Sequence, residues 1–197
     1  MSIEQAIRNA EKHKSKITDL ATLTGGLGSP KVWHLLNNLG ADSLVYLEIG
    51  AFMGASLMAT MEGNNLEAYT CDDFRMKPTV KNHFFQNTKK LKFTFFEQDC
   101  FTIDRSKIKP VDFYFFDGEH TYDAQYKALT YFIDCMKDEF ILVVDDWSNK
   151  PVKEGTFDAI RDLKLDIREC HILGDGSFKD RHGWWCGLGI FKLKKTC

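Results

Sequence analysis

The chain is short of several things that would announce a function. It has 4 Pro in 197 residues, and no apolar run approaches the roughly 20 residues of a membrane span. Its first segment, MSIEQAIRNAEKHKSKITDL, carries charge throughout, so it has no apolar signal segment and reads as cytoplasmic. There is no basic excess either. Formal net charge is −2, with both signs dispersed, which argues against a nucleic-acid track and against a membrane-surface patch. Six cysteines, at 71, 100, 135, 170, 186 and 197, form neither a C-x-x-C pair nor a zinc-ligand spacing, and reduced, mostly buried thiols are expected. Neither the phosphate-loop pattern G-x-x-x-x-G-K-[ST] nor the dinucleotide pattern G-x-G-x-x-G is satisfied.

What is present is a globular composition, 44% hydrophobic and 27% charged, with 16 Phe as packing material. Ile3, Ala6, Ile7, Ala10 and Ile17 repeat at helical spacing, predicting an amphipathic helix over 2–18. It would cover the core or a second subunit, so a homo-oligomer is a possible partner arrangement. The linker TGGLGSP ends in Ser29-Pro30, an N-cap and first-turn signal for a helix through Leu39. From residue 41 onward, short apolar runs alternate with helical segments: SLVYLEI, GASLMATME, LEAYTC, a helix near 79–90, KFTFFEQ, VDFYFF, a helix from Thr121 with Tyr122, Tyr126, Leu129, Ile133 and Met136 on one stripe, and EFILVV. That alternation predicts βαβ units and a mainly parallel sheet buried on both faces. After a helix near 155–163, DIRECHIL and WWCGLGIFKL flank the loop GDGSFKDRHG and predict an antiparallel hairpin at a sheet edge. We divide the chain into an N-terminal helical cover, 1–40, and an α/β unit, 41–197, within one compact domain.

Open α/β sheets bind ligands beyond the carboxyl ends of their strands. There the sequence reads LEIGAFMGAS, CDD, EQDC, DGEH and DDW. Each contains an acid and none a lysine or arginine, so the edge calls for a cationic or hydroxyl-rich ligand. The glycines of LEIGAFMGAS would let backbone approach a ligand closely, and Asp72 or Asp73 is placed for ribose hydroxyls. Asp117, Asp145 and Asp146 end two strands expected to be neighbours, and an oxygen-only trio suits a hard ion such as Mg²⁺. An unperturbed imidazole titrates near neutral pH, and His120 would stand beside them as a general base. Trp147, Trp184 and Trp185 would offer either an aromatic wall or core packing.

LEIGAFMGAS, the acid after the second strand and Asp99 after the third resemble the class I S-adenosylmethionine (SAM)-dependent methyltransferases, over about residues 41–193. The resemblance implies a Rossmann-like, doubly wound, seven-stranded sheet. It implies that Glu48, Gly50, Phe52 and Ser56 border the methionine part of SAM, Asp72 (or Asp73) its ribose, and Asp99 with Cys100 its adenine, and that Asp117 also belongs to the cofactor-binding set. DGEH and VVDDW further resemble the divalent-metal-dependent O-methyltransferases, especially the sugar-modifying branch. That likeness implies Asp117, Asp145 and Asp146 as metal ligands, His120 as base, and a sugar or other small hydroxyl compound as acceptor. A nucleotide-cofactor oxidoreductase and a non-catalytic SAM-fold binding module are the alternatives.

Overall fold

In the computed structural model, residues 1–19, 26–174 and 182–196 are described. The apolar runs become strands β1 (Val45–Ile49), β2 (Glu67–Cys71), β3 (Thr94–Phe96), β4 (Val111–Phe116), β5 (Met136–Val144), β6 (Asp166–Leu173) and β7 (Leu188–Lys194). The helices are α1 (Ile3–Glu11), α2 (Pro30–Gly40), α3 (Ala55–Met61), α4 (Lys81–Thr88), α5 (Tyr122–Phe132) and α6 (Lys150–Asp162). The sheet order is β3-β2-β1-β4-β5-β7-β6. β1 to β5 run parallel, and β7 is antiparallel to both β5 and β6. The order reverses between β1 and β4, which is where such folds open a ligand crevice.

Alternation along the strands divides the core in two. Val45, Leu47, Ile49, Tyr114 and Phe116 pack with Leu129 and Phe132 of α5 and Val152 and Ile160 of α6. Tyr46, Phe113 and Phe115 face the other way, against Ile3 and Ile7 of α1, Leu35 and Leu36 of α2, and Phe84 of α4. The N-terminal cover thus shares its core with the sheet. Ser29 caps α2 as the sequence predicts, its hydroxyl accepting from the Val32 amide at 3.4 Å.

Several boundaries differ from expectation. The first helix stops at Glu11, and His13 takes a left-handed φ of +51°, so Ile17 lies outside it and packs instead beside Trp33. The stripe from Tyr122 breaks after Phe132 into a 3-10 turn, Ile133–Cys135, and Met136 begins β5. Strand β7 starts at Leu188, leaving Trp184 and Trp185 in the preceding turn. Trp147 is core, edge-on to Phe157 at 5.5 Å. Residues 175–181, most of the hairpin loop and its Arg181, lie outside the described residues. Among the described residues no helix is long and apolar enough to cross a membrane.

Candidate functional site

The exits of the parallel strands open into one cleft of about 680 Å³. Every site residue predicted from the sequence lines it except Glu48. Gly50 is the hinge of the arrangement, since its φ is +94° and a Cβ there would lie 1.9 Å from the Asp117 carbonyl oxygen. Only glycine allows both the conformation and the approach. The Gly50 amide donates to the Cys71 carbonyl at 2.9 Å, and the Asp117 amide donates to the Ile49 carbonyl at 2.9 Å, so the exits of β1, β2 and β4 are tied together.

In the first half of the cleft the acids hold backbone. Phe52 and Phe74 both adopt left-handed φ, +44° and +54°, a conformation that costs about 1–3 kcal/mol for a bulky residue. Asp72 offsets this by accepting from both amides, Phe52 N at 2.7 Å and Phe74 N at 2.6 Å. Asp73 accepts from the Arg75 amide at 2.9 Å and from its guanidinium, and that guanidinium also reaches Asp99 at 3.5 Å. Asp99 caps a 3-10 turn through the Phe101 amide at 2.9 Å. The Cys100 thiol is pushed up to about 12, by burial first and then by Asp99.

Glu48 lies one layer behind the cleft. It is fully buried, its Oε1 accepts from the Ser56 hydroxyl, and its Oε2 finds no partner among the described residues. Burial, opposed by the hydrogen bond from Ser56 and reinforced by the charge of Asp72, pushes its carboxyl up to about 8. Glu48 therefore supports the Ser56 end of α3 from behind.

The second half gathers charge. β4 delivers Asp117, and the DGEH turn carries His120 to Thr121, whose hydroxyl caps α5 through the Ala124 amide at 3.2 Å. β5 delivers Asp145 and Asp146. Asp146 has a φ of +52°, and its amide donates to Asp145 Oδ1 at 2.8 Å. The following amides, Trp147 N and Ser148 N, donate to Gly187 O at 3.1 Å and Cys186 O at 3.0 Å, clamping this loop to the turn before β7. His120 Nε2 lies 2.8 Å from Asp146 Oδ2 and 4.0 Å from Asp117 Oδ1. Burial, then Asp145 and Asp146, push the Asp117 carboxyl well above the ordinary range, and burial followed by Asp146 pushes Asp145 up to about 7. The hydrogen bond to Asp146 raises His120, against burial. Asp117, His120 and Asp146 each offer a ligand atom, all within 4.8 Å of one another. Asp145, the third expected metal acid, stands outside that group.

Two participants were missed in the sequence. Arg75 follows CDD by two residues, just past the strand end, where a single arginine has no motif to mark it. Cys186, whose buried thiol lines the cleft and whose φ is +62°, gives no sign in sequence of its left-handed turn.

A family profile described as a methyltransferase domain matches residues 47–147, slightly more than half of the chain. An uncharacterized protein of Acanthamoeba polyphaga mimivirus is 25% identical over 150 residues, covering 69% of this chain and 68% of its own. Among solved structures, the SAH-bound methyltransferase of Podospora anserina superposes with a TM-score of 0.70 at 15% identity, over 98% of this chain and 95% of that one. An O-methyltransferase from Bacillus cereus in complex with SAH gives 0.58 at 14%, over 98% and 90%. The chain belongs to the methyltransferase-domain family and carries the class I SAM-dependent methyltransferase fold.

Proposed function

We propose that the chain is a SAM-dependent O-methyltransferase acting on a hydroxyl of a small molecule, a sugar or glycoconjugate, at a site that also holds a divalent cation. The observation that carries this reading is the meeting of two units in one cleft. The glycine turn of the family and a cluster of acids with a histidine abut at the contact of Gly50 with Asp117.

The donor set fits a cation. Two carboxylates and an imidazole converge within 4.8 Å, and among the described residues the ion pairs of Asp117 and Asp146 are to His120 alone. Asp117 and Asp146 would hold the ion, with Asp145 behind them. When bound, SAM supplies the methyl group and the cation supplies Lewis acidity toward the acceptor oxygen. The rest is positioning, which can supply much of the rate of a transfer that needs little covalent help. Phe52 and Ser56 would border the methionine part of SAM. Asp73, Asp99 and Cys100 stand toward the adenosine end, and Asp72 fixes the turn between the two. His120 is in hydrogen-bond contact with Asp146, so its part in turnover is played as a member of the acid cluster. A net charge of −2 and an acid-lined cleft support a small acceptor over a nucleic acid. Family membership disfavours the oxidoreductase alternative.

The test is incubation with methyl-labelled SAM and a panel of sugars, glycoconjugates and catechols, followed by mass spectrometry with and without a chelator. A labelled product that disappears on chelation is expected. Failure to bind SAH by calorimetry, or transfer indifferent to chelation, would remove the cofactor or the cation from the reading. Tight SAH binding with no product across the panel would favour the non-catalytic module.

A further inference from the structure

The ion that the acid end is built for can be read from its donors. All-oxygen sites suit Mg²⁺ and Mn²⁺, whereas imidazole among the ligands shifts preference toward borderline transition ions such as Zn²⁺, Co²⁺ and Fe²⁺. The three groups whose ligand atoms cluster within 4.8 Å are Asp117, His120 and Asp146, two oxygens and one nitrogen. Asp145, the oxygen that would make the site all-carboxylate, has Oδ1 engaged by the Asp146 amide at 2.8 Å.

We propose that His120 is a metal ligand through Nε2, and that the site takes a borderline divalent transition ion in preference to Mg²⁺; this rests on the cation-assisted reading above. Nε2 faces both acids, 2.8 Å from Asp146 Oδ2 and 4.0 Å from Asp117 Oδ1. The imidazole is brought there by the short turn between Asp117 and the Thr121 cap, so its place among the donors is set by secondary structure on both sides. Its side chain is 44% exposed, which leaves the cluster open on one side to an exchangeable ion and a substrate oxygen. A lone pair committed to an ion cannot also take a proton, so this assignment replaces the general-base role that the sequence suggests for the same nitrogen.

The experiment uses the full chain, stripped with chelator and titrated with Co²⁺, Zn²⁺, Mn²⁺ and Mg²⁺ by calorimetry, and with Co²⁺ by visible absorption. Co²⁺ and Zn²⁺ should bind at least about tenfold more tightly than Mg²⁺. In His120→Ala and His120→Gln, Co²⁺ and Zn²⁺ affinity should fall by about tenfold or more and the Co²⁺ spectrum should change, while Mg²⁺ affinity moves much less. Retained SAH binding establishes that the variants are folded. Mg²⁺ binding as tight as Co²⁺, or variants that weaken every ion alike or none, overturns the inference and leaves the cation-assisted reading standing. No binding of any of the four ions by wild-type protein that still binds SAH overturns both.

Discussion

At the exits of β2 and β3 each aspartate is matched by protein donors, Asp72 by the amides of Phe52 and Phe74, Asp73 by Arg75, Asp99 by the Phe101 amide. At the exits of β4 and β5, Asp117, Asp145 and Asp146 press against one another with His120 as the countercharge. The same residue type serves as a staple in one half of the cleft and as stored repulsion in the other. A half that spends its carboxylates on its own backbone is preorganised, while a half that leaves them facing each other gains stability only when something positive arrives. Mutations should therefore act with opposite sign in the two halves.

Gly50 is where the halves touch, and Gly50→Ala should damage both. The added methyl meets the Asp117 carbonyl at 1.9 Å, so one strand exit must move. We expect a loss on the order of 5 kcal/mol in urea denaturation and no SAH binding by calorimetry. A variant that melts like wild type and binds SAH would show the two exits to be independent.

Glu48 belongs to the staple half but is only half satisfied, and pH exposes it. Its carboxyl titrates near 8 in the folded chain against an ordinary 4.5, so between those values the native state holds the extra proton. Stability contributed by the neutral acid is full below about 4.5, falls as pH rises, and levels off above about 8, an upper limit of about 5 kcal/mol at 1.4 kcal/mol per unit. Glu48→Gln should flatten this slope in urea melts between pH 5 and pH 8. Equal slopes in both proteins would assign the pH dependence elsewhere.

Asp72→Ala removes both staples from two left-handed residues. Hydrogen bonds to a charged acceptor contribute about 1.5–3 kcal/mol each, and with partial relaxation we expect a loss of about 2–4 kcal/mol. Asp72→Asn, which keeps one acceptor, should fall between. If thermal melts rank the Asn variant as the worse, the carboxylate is not acting as a double acceptor.

How much of this was legible in the sequence follows from what each feature depends on. The strands of the parallel sheet and the glycine turn after β1 depend on local apolar runs and on a residue type without a side chain, and both could be read; the left-handed φ of Gly50 and its approach to the Asp117 carbonyl could not. Ile17 keeps the helical period of the first helix, while the chain turns away at His13, whose φ of +51° has no sequence signature. Asp72 could be placed at the cleft, but its role as a backbone acceptor requires Phe52 and Phe74 to be left-handed, which is set by tertiary packing. Asp117, His120 and Asp146 meet because β4 and β5 are neighbours in register, and the sequence anticipates that meeting. That Asp145 is turned toward its neighbour's amide depends on φ at Asp146, again invisible to residue type.

Asp117→Asn gives the smallest shift and the sharpest contrast, because its sign is opposite. In wild type the Asp117 carboxyl is partly buried beside Asp145 and Asp146, and desolvation first and those two acids second push its titration well upward; an isosteric amide keeps the packing and has no charge to desolvate or to set against its neighbours. In chelator-treated protein at neutral pH the variant should be more stable by about 1–2 kcal/mol, and added divalent ion, which should stabilise wild type by mass action, should do much less for the variant. Differential scanning calorimetry with and without the ion measures both effects. Stabilisation by Asp117→Asn alongside destabilisation by Asp72→Asn would establish that the two ends of one cleft are in opposite electrostatic states. Loss of stability in both would mean that the Asp117 carboxylate is held by donors as Asp72 is, and the acid end would no longer need a cation.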